Sequence, residues 1–154
     1  MASIGQPLPA ATLYDGSLAP HNLAEIAQGK PTVLLFFPAA YTRVCEKELC
    51  TVRDGLSAYA EIGAQVFGVS VDTPWTLLNY ARQLGVQYPL LSDFNKEAVK
   101  ALGLEITLRG IQGVSQRAAF VLDGSSVLCW QWIAEHPGQE PPYEEVVGAV
   151  KLLA

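Results

Sequence analysis

Basic side chains are few in this chain and nowhere gathered: 10 Lys and Arg stand against 15 Asp and Glu in 154 residues, a formal charge of -5. A polyanion needs clustered cations, so neither nucleic acid nor an anionic membrane is expected as a partner. No uninterrupted apolar stretch approaches the roughly 20 residues of a membrane helix. The opening Met1-Ala2-Ser3-Ile4-Gly5-Gln6-Pro7 also lacks a basic segment followed by an apolar one. A cytoplasmic location is the expectation. Cysteine is scarce too, and three is an odd number, which speaks against a disulfide framework built for secretion and leaves chemistry or core filling. The two histidines, His21 and His136, lie far apart, and Cys-x4-Cys without a second ligand pair is a poor zinc pattern. No metal and no organic cofactor is expected. Repeats, low-complexity tracts and linkers are missing, and a 50% hydrophobic chain of this length suits one core, so residues 1–154 read as one domain.

What is present alternates in type. A short strand over residues 11–14, an Asp15-Gly16 turn and a small helix over 23–27 stopped by Gly29 come first. Val33-Leu34-Leu35-Phe36-Phe37 is a continuous apolar run of strand length, the pattern of a strand covered on both faces, and 66–71 is a second. Between them Leu49, Val52, Leu56 and Tyr59 recur at spacings of three and four, which predicts one helix over about 44–62 ending at Gly63. Asp72-Thr73-Pro74 supplies a cap and a first-turn proline for the next helix, with a glycine stop at Gly85. A short apolar run at 89–91, a helix over 95–102 closed by Gly103 and an unassigned stretch to Gln116 follow. Runs 118–122 and 127–133 flank Asp123-Gly124-Ser125-Ser126, a hairpin signal, and Pro141-Pro142 opens a last helix with Tyr143, Val146, Val147, Val150 and Leu153 on its apolar stripe. Strand, helix, strand, helix, helix, hairpin and helix imply an α/β fold: a mixed sheet with helices on both faces.

The segment between the first buried strand and the long helix carries the chemistry. It sets Cys45 where the helix should begin, and the unpaired N–H groups and aligned dipoles of a first turn favour a thiolate, the nucleophilic form of cysteine. Taken one at a time the residues are ordinary: a lone Cys is most often a small core residue, Thr42 an N-cap, Arg117 a solvated cation and Glu48 a helix-surface charge. Their combination is not ordinary.

Pro38, Thr42 and Cys45 match the Pro-x-x-x-Thr-x-x-Cys signature of the peroxiredoxins, thiol peroxidases with a thioredoxin-like fold, and the resemblance extends over most of the chain. Glu48 matches the glutamate found in many members three residues past the reactive cysteine, and residues 116–123 resemble the Arg-containing strand. Cys50 gives the cysteine separation of the bacterioferritin-comigratory (PrxQ) branch, while Tyr41 and the flanks of Cys45 partly resemble the one-cysteine AhpE-type branch. The resemblance implies that Cys45 attacks a hydroperoxide and becomes a sulfenic acid, with Thr42 and Arg117 catalytic. It also implies that Pro38 shields the sulfur, Glu48 orients the arginine, the N–H groups of Val44 and Cys45 complete the site, and Tyr41 and Val44 border a substrate pocket. Cys50 would resolve the sulfenic acid as an intramolecular disulfide, recycled by thioredoxin or a similar dithiol. Monomers and weak homodimers both occur in such a branch.

Geometry constrains that disulfide. Five residues of α-helix are about 500° of turn and about 7.5 Å of rise, leaving the two side chains about 140° apart and the Cα atoms roughly 8.6 Å apart, beyond the ~7 Å limit for an unmoved bridge. A Cys45–Cys50 bond therefore requires unwinding. Other readings stay open: an external thiol resolving Cys45, a thioredoxin-like disulfide oxidoreductase, or a silent binding domain. The oxidoreductase is opposed by four residues, rather than two, between the cysteines. Cys129, sharing a strand face with Val127 and Gln131 by alternation, is expected to pack, with a second resolving role less favoured.

Overall fold

A computed structural model describes residues 2–153. Its centre is a seven-stranded mixed sheet in the order β2-β1-β5-β4-β3-β8-β9, where β1 is Thr12–Tyr14, β2 Pro20–Asn22, β3 Thr32–Phe36, β4 Gln65–Ser70, β5 Leu90–Ser92, β8 Ala118–Leu122 and β9 Leu128–Ile133. Strands β3, β4 and β5 run parallel, and β8 lies antiparallel to β3 and β9. The helices are α1 (Arg43–Asp54), α2 (Leu56–Glu61), α3 (Pro74–Leu84), α4 (Glu97–Ala101) and α5 (Tyr143–Lys151). A separate hairpin joins β6 (Glu105–Leu108) to β7 (Ile111–Ser115).

Strand β3 shows why the apolar run reads as it does. Every residue of it is buried. Leu34 and Phe36 point into one core with β8 Phe120 and α4, while Val33 and Leu35, followed by Phe37, point into the other with α1, α3 and α5. Alternation along one strand thus feeds two hydrophobic layers. Phe36 and Phe120 meet edge to face, with centroids 5.6 Å apart. On the other layer α1 approaches the sheet over Gly68, where a Cβ would lie 2.6 Å from Leu90 Cδ2 and 3.4 Å from Leu49 Cδ2, so a larger residue would lift the helix.

The structure departs from the sequence reading in four places. The single helix expected over 44–62 is two, broken at Gly55, whose φ of -97° and ψ of 9° leave the helical range, and Ala58 N–H bonds Gly55 O in a tight turn. Glycine weakens a helix interior by about 1 kcal/mol against alanine. The break turns α2 so that Tyr59 is buried, and the apolar spacing continues through it, which is why periodicity alone hides it. The unassigned stretch before Gln116 is the β6–β7 hairpin. Its turn residues Arg109 and Gly110 both have positive φ, 49° and 85°, the requirement of a type I′ turn. Residues 20–22, given no element by the sequence pattern, form strand β2, and the small helix expected over 23–27 is a single tight turn, Leu23–Glu25. Finally, the β8–β9 register shifts between Val121 and Leu122, which pair with Trp130 and Leu128. Cys129 is the extra residue of that bulge, and the simple alternation expected for it does not hold.

Candidate active site

Register builds the site. Phe36 pairs with Ala118, so the chain leaving β3 through Phe37 and Pro38 and the chain entering β8 through Gln116 and Arg117 emerge at the same end of the sheet. The loop 38–42 then turns into α1. Ala40 N–H donates to Asp72 Oδ2 at 2.8 Å, and that carboxylate also accepts from Ser70 Oγ at 2.6 Å, which fixes the loop to the end of β4. Tyr41 takes a φ of 65°, a strained conformation for a bulky side chain. Its hydroxyl accepts from Asn79 Nδ2 at 2.9 Å, and its ring leans on Tyr80 with centroids 4.6 Å apart.

Helix α1 begins at Arg43, one residue before the expected start. Its first ladder bond is Glu46 N–H to Thr42 O, at 2.9 Å, leaving the N–H groups of Arg43, Val44 and Cys45 outside the ladder. Thr42 holds the N-cap position without capping. Its hydroxyl donates to Ala39 O at 2.9 Å, and a free lone pair remains on the oxygen. Cys45 is 1% exposed, its sulfur turned toward the sheet.

Arg117 meets that sulfur. One guanidinium nitrogen, Nη2, lies 3.2 Å from Cys45 Sγ and 3.2 Å from Pro137 O, while Nη1 donates to Glu48 Oε2. Both members of this ion pair are buried, Arg117 at 2% and Glu48 at 0% exposure. Burial pushes the Glu48 carboxyl up to about 7, against the downward pull of the Arg117 charge and its hydrogen bond. Glu48 Oε1 and Arg117 Nε have no hydrogen-bond partner among the described residues, which adds to the cost of the ionised pair. Burial works against the Arg117 charge, but the Glu48 carboxylate and the Cys45 sulfur outweigh it and hold the guanidinium above its ordinary value.

The sulfur opens into a cleft of about 460 Å³ whose walls include Pro38, Thr42, Val44, Leu108, Arg117 and Pro137. The anticipated Pro38, Thr42, Val44, Cys45 and Arg117 therefore come together. Glu48 stands behind Arg117 and is not a wall of the cleft. Tyr41 is a correction: it lies against α3 rather than in the cleft, because its left-handed backbone turns the ring outward, 52% exposed. Cys50 is half-buried on α1, and both it and Cys45 are free thiols on an intact helix. Cys129 is also free, hydrogen-bonded to Val127 O at 3.5 Å, and burial raises its thiol. His21 pairs with Asp15 at 2.8 Å, away from the cleft. No group of three or more His, Cys, Asp or Glu residues able to hold a metal occurs among the described residues, and none of their helices is long and apolar enough to cross a membrane. Arg43, Leu108, Arg109, Pro137 and Gly138 also line the cleft and were not singled out from the sequence. Two of them, Leu108 and Arg109, sit at a turn whose one mark in the sequence is Gly110.

A buried sulfur at a helix start, bonded to a guanidinium and reached through a cleft, is the equipment of a thiol-based redox enzyme. Residues 4–131 match the AhpC/TSA family. Peroxiredoxin Q, chloroplastic, from Populus jackii is 33% identical over 149 residues, 97% of this chain and 67% of that protein. Peroxidoxin BcpB from Mycobacterium tuberculosis superposes with a TM-score of 0.87 at 26% identity, covering 100% of this chain and 99% of that one. Reduced Prx3 from Vibrio vulnificus, solved in complex with hydrogen peroxide, gives a TM-score of 0.88 at 27% identity, covering 97% and 99%. The chain belongs to the AhpC/TSA family, the thiol peroxidases called peroxiredoxins, and has their thioredoxin-like fold. Peroxide substrates and a thiol reductant follow from that membership.

Proposed function

We propose that Cys45 is the sulfur that reduces the peroxide and that Cys50 closes the cycle. The observation that carries this is the Arg117 Nη2 contact at 3.2 Å from Cys45 Sγ, at a helix start whose first N–H groups lie outside the backbone ladder. A permanent cation stands where the attacking thiolate carries its charge and where the departing oxygen gains its own. The thiolate attacks one peroxide oxygen, the O–O bond breaks, sulfur becomes sulfenic acid, and the other oxygen takes a proton and leaves as water or an alcohol. Thr42 Oγ1, with its proton given to Ala39 O, accepts a hydrogen bond from the incoming hydroperoxide. The N–H groups of Val44 and Cys45 meet the peroxide oxygens, Pro38 covers the sulfur, and Glu48 holds Arg117 in its fork.

Resolution by Cys50 needs α1 to melt. On the intact helix the two Cα atoms are roughly 8.6 Å apart, too far for a bridge. The Gly55 break supports this reading, since α1 can unwind from its first turns without dragging α2. The disulfide then passes to thioredoxin or a similar dithiol. The experiment is intact-mass measurement after one equivalent of hydrogen peroxide. The parent should give an intramolecular disulfide, and Cys50→Ser a single added oxygen. An intramolecular disulfide persisting in Cys50→Ser removes Cys50 from the cycle, and a Cys45→Ser protein that destroys peroxide at the parental rate removes the whole assignment.

A further inference from the structure

Helix α1 is held in two different ways along its length. Residues 43–48 are tied by charge: Arg117 to the Cys45 sulfur at 3.2 Å and to Glu48, and Lys47 to Glu140 at 3.0 Å. Residues 49–54 bury Leu49 and Val52 in the core and are bonded to the end of α3 and the connection that follows it. There the Tyr88 hydroxyl donates to Leu49 O at 2.7 Å, and Arg53 Nη1 donates to Leu84 O. Tyr88 is a firm post. It is 4% exposed, and the chain on either side is bonded in place, Val86 N–H to Ala81 O and Gly68 N–H to Pro89 O, both at 3.0 Å. Burial, with the negative charges of Glu48 and Cys50 adding to it, holds the hydroxyl above its ordinary value, so it keeps the proton it donates. The carbonyl it grips belongs to the peptide unit that supplies the Cys50 N–H.

Oxidation loosens only the first of these regions. When the Cys45 thiolate becomes a sulfenic acid its charge is gone and Arg117 loses a partner, whereas the bonds to Leu49 O and from Arg53 involve no sulfur. We propose that Tyr88 is a positioning residue for the second half of the cycle: its hydroxyl stops the unwinding of α1 at Leu49, so that Cys50 stays fixed while Cys45 swings to it. The inference rests on Cys50 as the resolving thiol. Cys50 attacks the sulfenic sulfur, the S–S bond forms as the S–O bond breaks, and the oxygen leaves as water with the thiol's proton. A nucleophile held in place meets that sulfur at a higher effective concentration than one on a frayed segment. The rival reaction is with a second peroxide, which gives the sulfur another oxygen, breaks its own O–O bond and ends the cycle as sulfinic acid.

The test is Tyr88→Phe, which removes the hydroxyl and keeps the ring. Rapid quench and mass measurement follow sulfenic acid, disulfide and sulfinic acid after hydrogen peroxide is added to reduced protein. The first oxidation of Cys45 is the internal control and should match the parent. Conversion of sulfenic acid to disulfide should slow about three- to tenfold, the worth of one buried hydrogen bond, and at a fixed excess of peroxide the ratio of sulfinic acid to disulfide should rise by the same factor. A side chain that merely stabilised the helix would give the opposite sign, because a weaker helix unwinds and closes the disulfide faster. Amide exchange locates the boundary: in the oxidised parent, residues 44–48 should lose protection while 51–54 keep it, and in Tyr88→Phe the loss should run on through 54. Unchanged or faster disulfide formation in Tyr88→Phe overturns the proposal, and so does exchange that runs through residue 54 in the oxidised parent. A parent that forms no Cys45–Cys50 disulfide instead fells the two-cysteine cycle, and the positioning role with it, before Tyr88 is touched.

Discussion

Hairpin β8–β9 carries Arg117 to the sulfur from inside the seven-stranded sheet, whereas β6–β7 carries Leu108 and Arg109 to the mouth of the same cleft from outside it. All five residues of β8 are buried, and its register with β3 is unbroken from Thr32–Leu122 to Phe36–Ala118. Strand β6 is nowhere fully buried, β7 starts with two exposed residues, and their register shifts at Ile106 and Thr107, where Gly113, with a φ of 78°, is the extra residue. The group that touches the reacting atom thus hangs from a fully buried strand of the central sheet. The groups at the rim hang from a part whose stability is mostly its own.

Truncating one apolar side chain in each hairpin should separate the two most sharply. Phe120 is 1% exposed in β8, so Phe120→Ala should cost about 3–5 kcal/mol in urea unfolding. Ile111 is 64% exposed at the start of β7, and Ile111→Ala should stay within about 0.5 kcal/mol. Similar losses at the two positions would erase the contrast.

The buried end of the comparison also has an electrostatic signature. Glu48, behind Arg117, is pushed up to about 7 by burial, from an ordinary value of 4.5. Between those values the folded state binds the extra proton, so this group's contribution to stability is full below about 4.5 and is lost as pH rises through about 7. At 1.36 kcal/mol per pKa unit the whole loss is roughly 3 kcal/mol. Glu48→Gln cannot titrate. Its unfolding free energy should therefore fall less than the parent's between pH 5 and pH 8, by about 2–3 kcal/mol; parallel curves would mean that Glu48 is already ionised in the acid range.

Legibility from sequence followed the same divide. The buried strand at 32–36, the partner strand at 118–122 and the Asp123 turn were readable because uniform burial leaves an apolar run and because an Asx turn needs its aspartate: Asp123 Oδ1 accepts from Ser125 N–H at 2.9 Å and Val127 N–H at 3.0 Å. Pro38, Thr42, Cys45 and Arg117 were readable as a constellation, and the structure brings them to one cleft. What stayed hidden was set by backbone rather than by side-chain pattern. Tyr41 carries an ordinary aromatic for a pocket, yet its φ of 65° swings it to Asn79 and Tyr80. Gly55 breaks a helix whose apolar spacing runs on unbroken, and the Cys129 bulge defeats alternation from within a strand.

The β6–β7 turn is the clearest such case and supports the smallest test. Asn or Asp before glycine announces a type I′ turn because those side chains tolerate a left-handed backbone; arginine does not, so Arg109-Gly110 passes unnoticed although both residues adopt it. Gly110 has no atom within 4 Å of where a Cβ would be, so Gly110→Ala meets no clash and tests the backbone alone. At a φ of 85° the cost should be about 1 kcal/mol. That loss should emerge locally: amide exchange should quicken across β6 and β7 while β8 and β9 keep their protection, since the hairpin pairs with neither strand. An equal loss of protection in β8 would show that the two hairpins open as one unit, and the separation of chemistry from rim would no longer stand.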